Sequence, residues 1–247
     1  MEDDDMQPRP QGATDRITPA LLVIGAIIGL IGNALHPHIV NPSTESKLRV
    51  IADTSIWVSV HVAVIVAVLL VIGGLVGFGA ASSDPSAAPL MRLGTGAALV
   101  GGALVSVSTS IDGFAMRPMA LAWASAQSEE AVAIARIARG VDQASFAIWS
   151  IGMLVFFGFA FICLGLAANA TGRFPALFGW AAVGGGVLSG TAALLQIANT
   201  GENSAAETLF LIGSVVITLW SLVLGVMLSR RSGSVVLAGE QSVTQGK

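Results

Sequence analysis

Six long stretches of this chain, 17–35, 62–83, 93–111, 143–172, 174–201 and 208–229, contain no charged side chain and no histidine. A helix rises about 1.5 Å per residue and the hydrocarbon core of a bilayer is about 30 Å thick, so roughly 20 apolar residues are enough to cross it. In lipid the backbone must satisfy its own hydrogen bonds, which leaves a helix as the form for such a segment. The expected fold is therefore all-α: a six-span transmembrane helical bundle with spans near 17–35, 56–83, 93–112, 142–168, 174–199 and 207–229.

A soluble domain of this length would carry about a quarter of its residues charged. Here the charged fraction is 11% against 54% hydrophobic, so one membrane domain over 16–231 accounts for the chain. The segments 1–15 and 232–247 lack apolar periodicity and read as disordered tails. Gly32 and Ala34 have the small-residue spacing of a signal-peptidase site, but the apolar stretch is long and acidic residues precede it, so the segment reads as a retained span. Cys163 is the only cysteine and lies mid-span, which excludes an intrachain disulfide or a thiolate cluster. Basic residues are scattered and the net charge is -3, leaving no footprint for nucleic acid. The expected partners are the lipid bilayer and a second copy or another membrane subunit.

Lysine and arginine are retained on the cytoplasmic side of a membrane. Arg16, Arg92, Arg173, Arg230 and Arg231 abut span ends on one side, which predicts that both termini are cytoplasmic. The long connections, 36–55 and 112–142, then lie outside. Pro118 permits a restart, and the alanine-rich 119–140 reads as a short interfacial helix ending at Gly140.

Polar residues gather at the outer span ends. His36 and His38 follow the first span; Asp53, Trp57 and His61 recur every fourth residue into the second; Asp112 ends the third and Asp142 opens the fourth; Gln196 and Asn199 close the fifth. Asn33 and His36 share a helix face, as do Asp142 and Trp149. Ionisable groups at membrane depth are costly and mark functional sites. The pattern points to an outward-facing polar chamber lined by Asp53, Trp57, His61, Asp112, Asp142, Gln196 and Asn199. The two aspartates either pair with Arg117 and Arg139 or serve the chamber; bracing is expected for Asp142, with Arg139 one turn before it, and a site role for Asp112, above a serine-rich turn. His36, His38 and His61 form a candidate metal set, and three histidines permit one bis-histidine haem.

His36-Pro37, Trp57 with His61, Asp112-Gly113 before an alanine-rich segment containing Trp123, and the glycine-rich span ending Leu164-Gly165-Leu166 resemble a family of polytopic membrane proteins common in actinobacteria and similar prokaryotes. That family carries no established activity, so the resemblance implies a bacterial inner-membrane protein and no chemistry. From the residues, binding or transport of a small solute or ion ranks first, an accessory or structural subunit second, and a metal- or haem-binding redox protein third. No catalytic signature marks an enzyme.

Orientation is open to a direct test. In a Cys163→Ser background, a cysteine at Ser43 should react with an impermeant maleimide added to the outside of intact cells, and one at Ser232 should not. The reverse pattern would invert the topology.

Overall fold

The computed structural model describes residues 13–37, 43–82, 84–199 and 204–245. Among them every element is helical: α1 (Ala13–Leu35), α2 (Thr44–Asp53), α3 (Trp57–Ala80), α4 (Ala88–Ser110), α5 (Met116–Ser125), α6 (Ser128–Met153), α7 (Phe161–Ala170), α8 (Ala176–Asn199) and α9 (Ser204–Gln245). Two π-helical segments, Ile111–Ala115 and Leu154–Ala160, join α4 to α5 and α6 to α7 without a break. Six helices are long and apolar enough to span: Ile17–Leu35, Trp57–Ala80, Ala88–Ser125, Ser128–Ala170, Ala176–Asn199 and Ser204–Arg230. The chain is an integral membrane protein, and an even number of crossings puts its two ends on one side.

The spans close into a ring. α1 lies against α3, α3 against α4, α4 against the α6–α7 helix, that helix against α8, α8 against α9, and α9 back against α1. The outer surface carries Ile17, Ile24 and Ile31 of α1, Leu69 and Val76 of α3, and Leu211, Val215 and Leu219 of α9, all exposed. Apolar side chains turned outward suit lipid as their solvent. Toward the termini the ring is filled by a core that includes Leu22, Leu75, Phe161, Leu164, Trp220 and Leu224.

Lipid offers no hydrophobic drive between helices, so close packing must supply the contact. At Gly101 of α4 an added Cβ would lie 2.8 Å from the Phe156 Cα and still nearer its backbone nitrogen. Gly158 and Gly190 likewise bring two backbones together, with a Cβ at Gly158 lying 3.1 Å from the Gly190 Cα.

The third connection differs from expectation. Residues 119–140 are not one short helix ending at Gly140: the third span continues into α5, the chain turns through extended Ala126 and Gln127, and α6 starts at Ser128. Gly140 lies inside α6, exposed and in open space, and one glycine costs a long helix only about 1 kcal/mol. The first connection contains a helix, α2, beyond the elements expected from the sequence. Ser43 caps α2 by accepting from the Ser46 amide at 3.1 Å, and Leu48 and Ile51 bury its inner face. With Met116 and Ala120 of α5 and Ala135 and Ala138 of α6 these residues form a second core around Trp57. The result is a three-helix cap over the end of the ring opposite the termini. Residues 13–15 begin α1, and α9 runs on to Gln245, so helix extends into both segments expected as tails.

Gly101→Ala should lower stability by about 1–3 kcal/mol, because the obstructing atoms are backbone and cannot yield as a flexible side chain would. Gly184→Ala, where nothing lies within 4 Å, should be neutral or slightly stabilising. Thermal unfolding in detergent compares the two, and equal midpoints would remove the close-packing account of the α4 interface.

Candidate functional site

The cap and the ring meet at a cluster of ionic side chains. Asp112 is carried on the π-helical segment that follows α4, where the widened turn displaces the chain from α-helical register. Such segments often occur at functional sites. Its backbone carbonyl accepts the Trp57 indole N–H at 3.0 Å. The next residue, Gly113, permits a close approach: a Cβ there would fall 2.5 Å from the His61 Cβ and 2.7 Å from its Cγ. His61 is therefore seated against the π segment because residue 113 has no side chain.

His61 is 2% exposed, and both of its ring nitrogens are engaged. Nδ1 lies 2.7 Å from the Trp57 carbonyl. A carbonyl only accepts, so Nδ1 bears the hydrogen, and Nε2 faces Asp112 Oδ2 at 3.1 Å. A bare lone pair facing a carboxylate oxygen at that distance is repulsive, so the pair calls for a positive charge between the two atoms. His36, just past the end of α1, places its ring 5.1 Å from that of His61 and 5.5 Å from that of Trp57, while Trp57 and His61 are 4.6 Å apart, centroid to centroid. The His36 Nδ1 donates to the Pro37 carbonyl at 3.1 Å. The three rings form one group, which leaves no slot for a porphyrin between the two histidines.

Lys47, from α2, closes the site. Its ammonium lies 3.0 Å from Asp112 Oδ1 and 2.5 Å from Asp142 Oδ1. Burial disfavours its charge, but Asp112 and then Asp142 outweigh that effect and raise its pKa above the ordinary value of 10.5. Asp112 Oδ1 has no aligned hydrogen bond despite its nearness to the ammonium. The expected partners of the aspartates are thus corrected. Arg117 instead donates to the Ile51 and Ala52 carbonyls at the end of α2, where a cation complements the helix dipole. Arg139 is exposed and lines a surface cleft with Arg136, Glu45 and Ser43.

A cavity of about 290 Å³ lies against these groups, lined by His36, Lys47, His61, Asp112 and Asp142 on one side and Trp149 and Phe210 on the other. It has room for about ten waters at roughly 30 Å³ each. A smaller cavity of about 80 Å³, without charged groups but with Ser214, Thr218 and Ser221 in its lining, shares Asn33, Val64, Trp149 and Phe210 with it and reaches Phe161 and Ile217. Both of those residues belong to the core that fills the ring. On the α4–α6 seam, Ser108 and Ser145 each donate to the other's carbonyl, at 2.9 and 3.1 Å.

The other expected residues lie elsewhere. Asp53 is exposed: α2 stops there, Thr54 is extended and α3 starts at Trp57, so the fourfold spacing does not lie on one helix. Gln196 is buried and accepts from the Ser150 hydroxyl at 3.4 Å, and exposed Asn199 donates to the Leu195 carbonyl. Neither lines the cavity. His38 lies outside the described residues. Lys47 was not singled out by the sequence reading, although it is one of only two lysines in the chain.

The fold and site define a polytopic α-helical membrane protein with an ion-lined cavity at the end of its helix ring opposite the termini. Comparison with family models, with curated proteins and with solved structures finds no match to this chain.

Lys47→Met would leave two carboxylates facing each other without a cation. The expected loss of stability is about 2–4 kcal/mol, somewhat below that for breaking a fully buried pair, whereas Arg139→Ala should cost under about 0.5 kcal/mol. Because the Lys47 pKa is raised by folding, its contribution should be complete from neutral pH to near 10.5 and decline only above that. Unfolding midpoints across this range, indistinguishable between Lys47→Met and the parent, would refute the clamp.

Proposed function

We propose that this protein binds a small polar solute or an ion, taken from the face opposite its termini into a cavity with one entrance. The observation that carries the reading is the change in character along the ring axis. Charged and imidazole groups line the wide cavity, aromatic and aliphatic residues with the neutral Asn33, Ser214, Thr218 and Ser221 line the narrow one, and a filled core follows. Intramembrane ionisable residues around a cavity are functional by default. A polar end backed by an apolar wall is also the usual composition of a small-molecule site. The closed end favours binding over conduction.

On this reading the protein lies in a bacterial plasma membrane with both termini in the cytoplasm, in keeping with its basic span flanks and with the family it resembles. A second reading is that of a structural or accessory subunit. It is supported by Lys47, which already pairs with both aspartates and ties the cap to two spans.

The two readings differ in whether small molecules reach the cavity. In a Cys163→Ser background, cysteines at Asn33 and Ser214, which line the wide and narrow parts, are exposed to a small charged thiosulfonate in oriented vesicles. Reaction at both positions from the face opposite the termini, and at neither from the other face, is the expected result. Reaction from both faces would indicate a passage, and from neither would favour the accessory reading.

A further inference from the structure

We propose that His36, His61 and Asp112 form a binding site for a divalent first-row transition-metal ion of the zinc and iron class, coordinated at the wall of the cavity. This names the ion class for the binding reading above and rests on it.

One ligand atom from each of the three residues lies within 4.8 Å of the others. The central pair is already close to the required spacing. His61 Nε2 and Asp112 Oδ2 are 3.1 Å apart, and the edge of a tetrahedron with metal–ligand bonds of 2.0–2.1 Å is about 3.3 Å. A metal ion satisfies the positive charge that this lone pair and carboxylate call for, and it explains why a third ligand converges there. A shared proton would need only the pair. The longer approach is left to His36, which lies beyond the last residue of α1 and next to Pro37, where the chain leaves helical geometry and the ring can adjust.

The surrounding shell has the form that metal-binding imidazoles require. Both Nδ1 atoms face backbone carbonyls, those of Trp57 and Pro37, which directs the lone pair to Nε2 in each neutral ring. Asp112 divides its work between its oxygens: Oδ2 faces His61, while Oδ1 is set by the Lys47 ammonium. Lys47 is thus a positioning residue, held in turn by Asp142. With neutral imidazoles, Lys47, Asp112 and Asp142 sum to -1, so a divalent ion brings the site to +1. Two imidazoles and a carboxylate suit zinc or ferrous iron better than magnesium or calcium, which prefer all-oxygen sets. Three protein ligands leave coordination positions open toward the cavity for water or an anionic solute.

The test uses full-length protein without a histidine tag, stripped with EDTA and dialysed. Titration with Co²⁺ should give visible ligand-field bands saturating at one ion per chain, and Zn²⁺ should displace them. His36→Ala, the ligand variant least tied to folding, should weaken Co²⁺ binding by at least tenfold, and Lys47→Gln by roughly tenfold through loss of orientation. Asp53→Ala, on an exposed residue that does not line the cavity, should bind as the parent does. Size exclusion and thermal unfolding establish that each variant is folded. No saturable band, or binding undiminished in folded His36→Ala, overturns the metal site. The cysteine-accessibility result is independent of it: one-sided labelling without Co²⁺ binding refutes the metal and leaves the binding cavity standing, whereas labelling from neither face removes the cavity itself.

Discussion

The ammonium of Lys47 between Asp112 and Asp142 is the interaction on which the rest of this end of the molecule depends. Two carboxylates from different spans would repel where they meet at the cavity wall unless a cation lay between them. A single lysine from the cap answers both. The consequences propagate through Asp112. Its other oxygen meets His61, its carbonyl holds the Trp57 indole, and the Trp57 carbonyl fixes the tautomer of His61. Trp57 in turn is fully buried at the centre of the cap core. An electrostatic requirement in the spans and the apolar packing of the cap are thereby joined through three residues.

Local backbone irregularity makes that junction possible. A regular α-helix through 111–115 would keep its carbonyls within its own ladder and follow a different phase. The π-helical turn widens the helix where Asp112 must reach both the cap and α3. Gly113 then allows α3 to approach closely enough for His61 to meet the same carboxyl group. The dipeptide Asp112-Gly113 thus works as a unit: one residue supplies the charge and the next supplies the space. The second π-helical segment, 154–160, lies in the helix that contributes Phe156 and Phe157 to the narrow cavity.

The spans were legible because uncharged length is a strong signal: each expected span overlaps one of the six long helices, with 56–83 and 174–199 running slightly past Trp57–Ala80 and Ala176–Asn199. The site was legible in part. Helices that alternate in direction bring every second span end to the same face, which is why His36, His61, Asp112 and Asp142 were recognised together. The same rule gives no azimuth, so it also drew in Gln196 and Asn199, which sit at the same face but outside the cavity. Asp53 was misassigned because fourfold spacing implies a shared face only on a continuous helix, and the chain breaks at Thr54. Lys47 escaped notice in a polar segment with Glu45 and Arg49 as neighbours. The signals were present there: Ser43 as a cap and Leu48 with Ile51 at helical spacing mark α2 as amphipathic, and that helix puts Lys47 on the side facing the spans.

The form of the cavity bears most directly on function. A conduit for an ion across the membrane needs polar lining or a movable gate along its full length, whereas here the charged groups are confined to one end, the narrow part adds only neutral Asn33, Ser214, Thr218 and Ser221, and the axis terminates on Phe161 and Ile217 within a packed core. Opening that core would separate tightly interlocked helices, because α4, the α6–α7 helix and α8 meet through glycines with almost no free space. The cap is held differently. Its α5 and α6 continue spans without a break, but α2 is held over the ring by the small apolar core, by Lys47 and by Arg117 on its C-terminal end, the last two polar attachments at the water-facing end. Water can replace such attachments, while lipid cannot replace the glycine contacts below. The structure is therefore easier to open at the polar end than across its axis, which suits a site filled and emptied from one face.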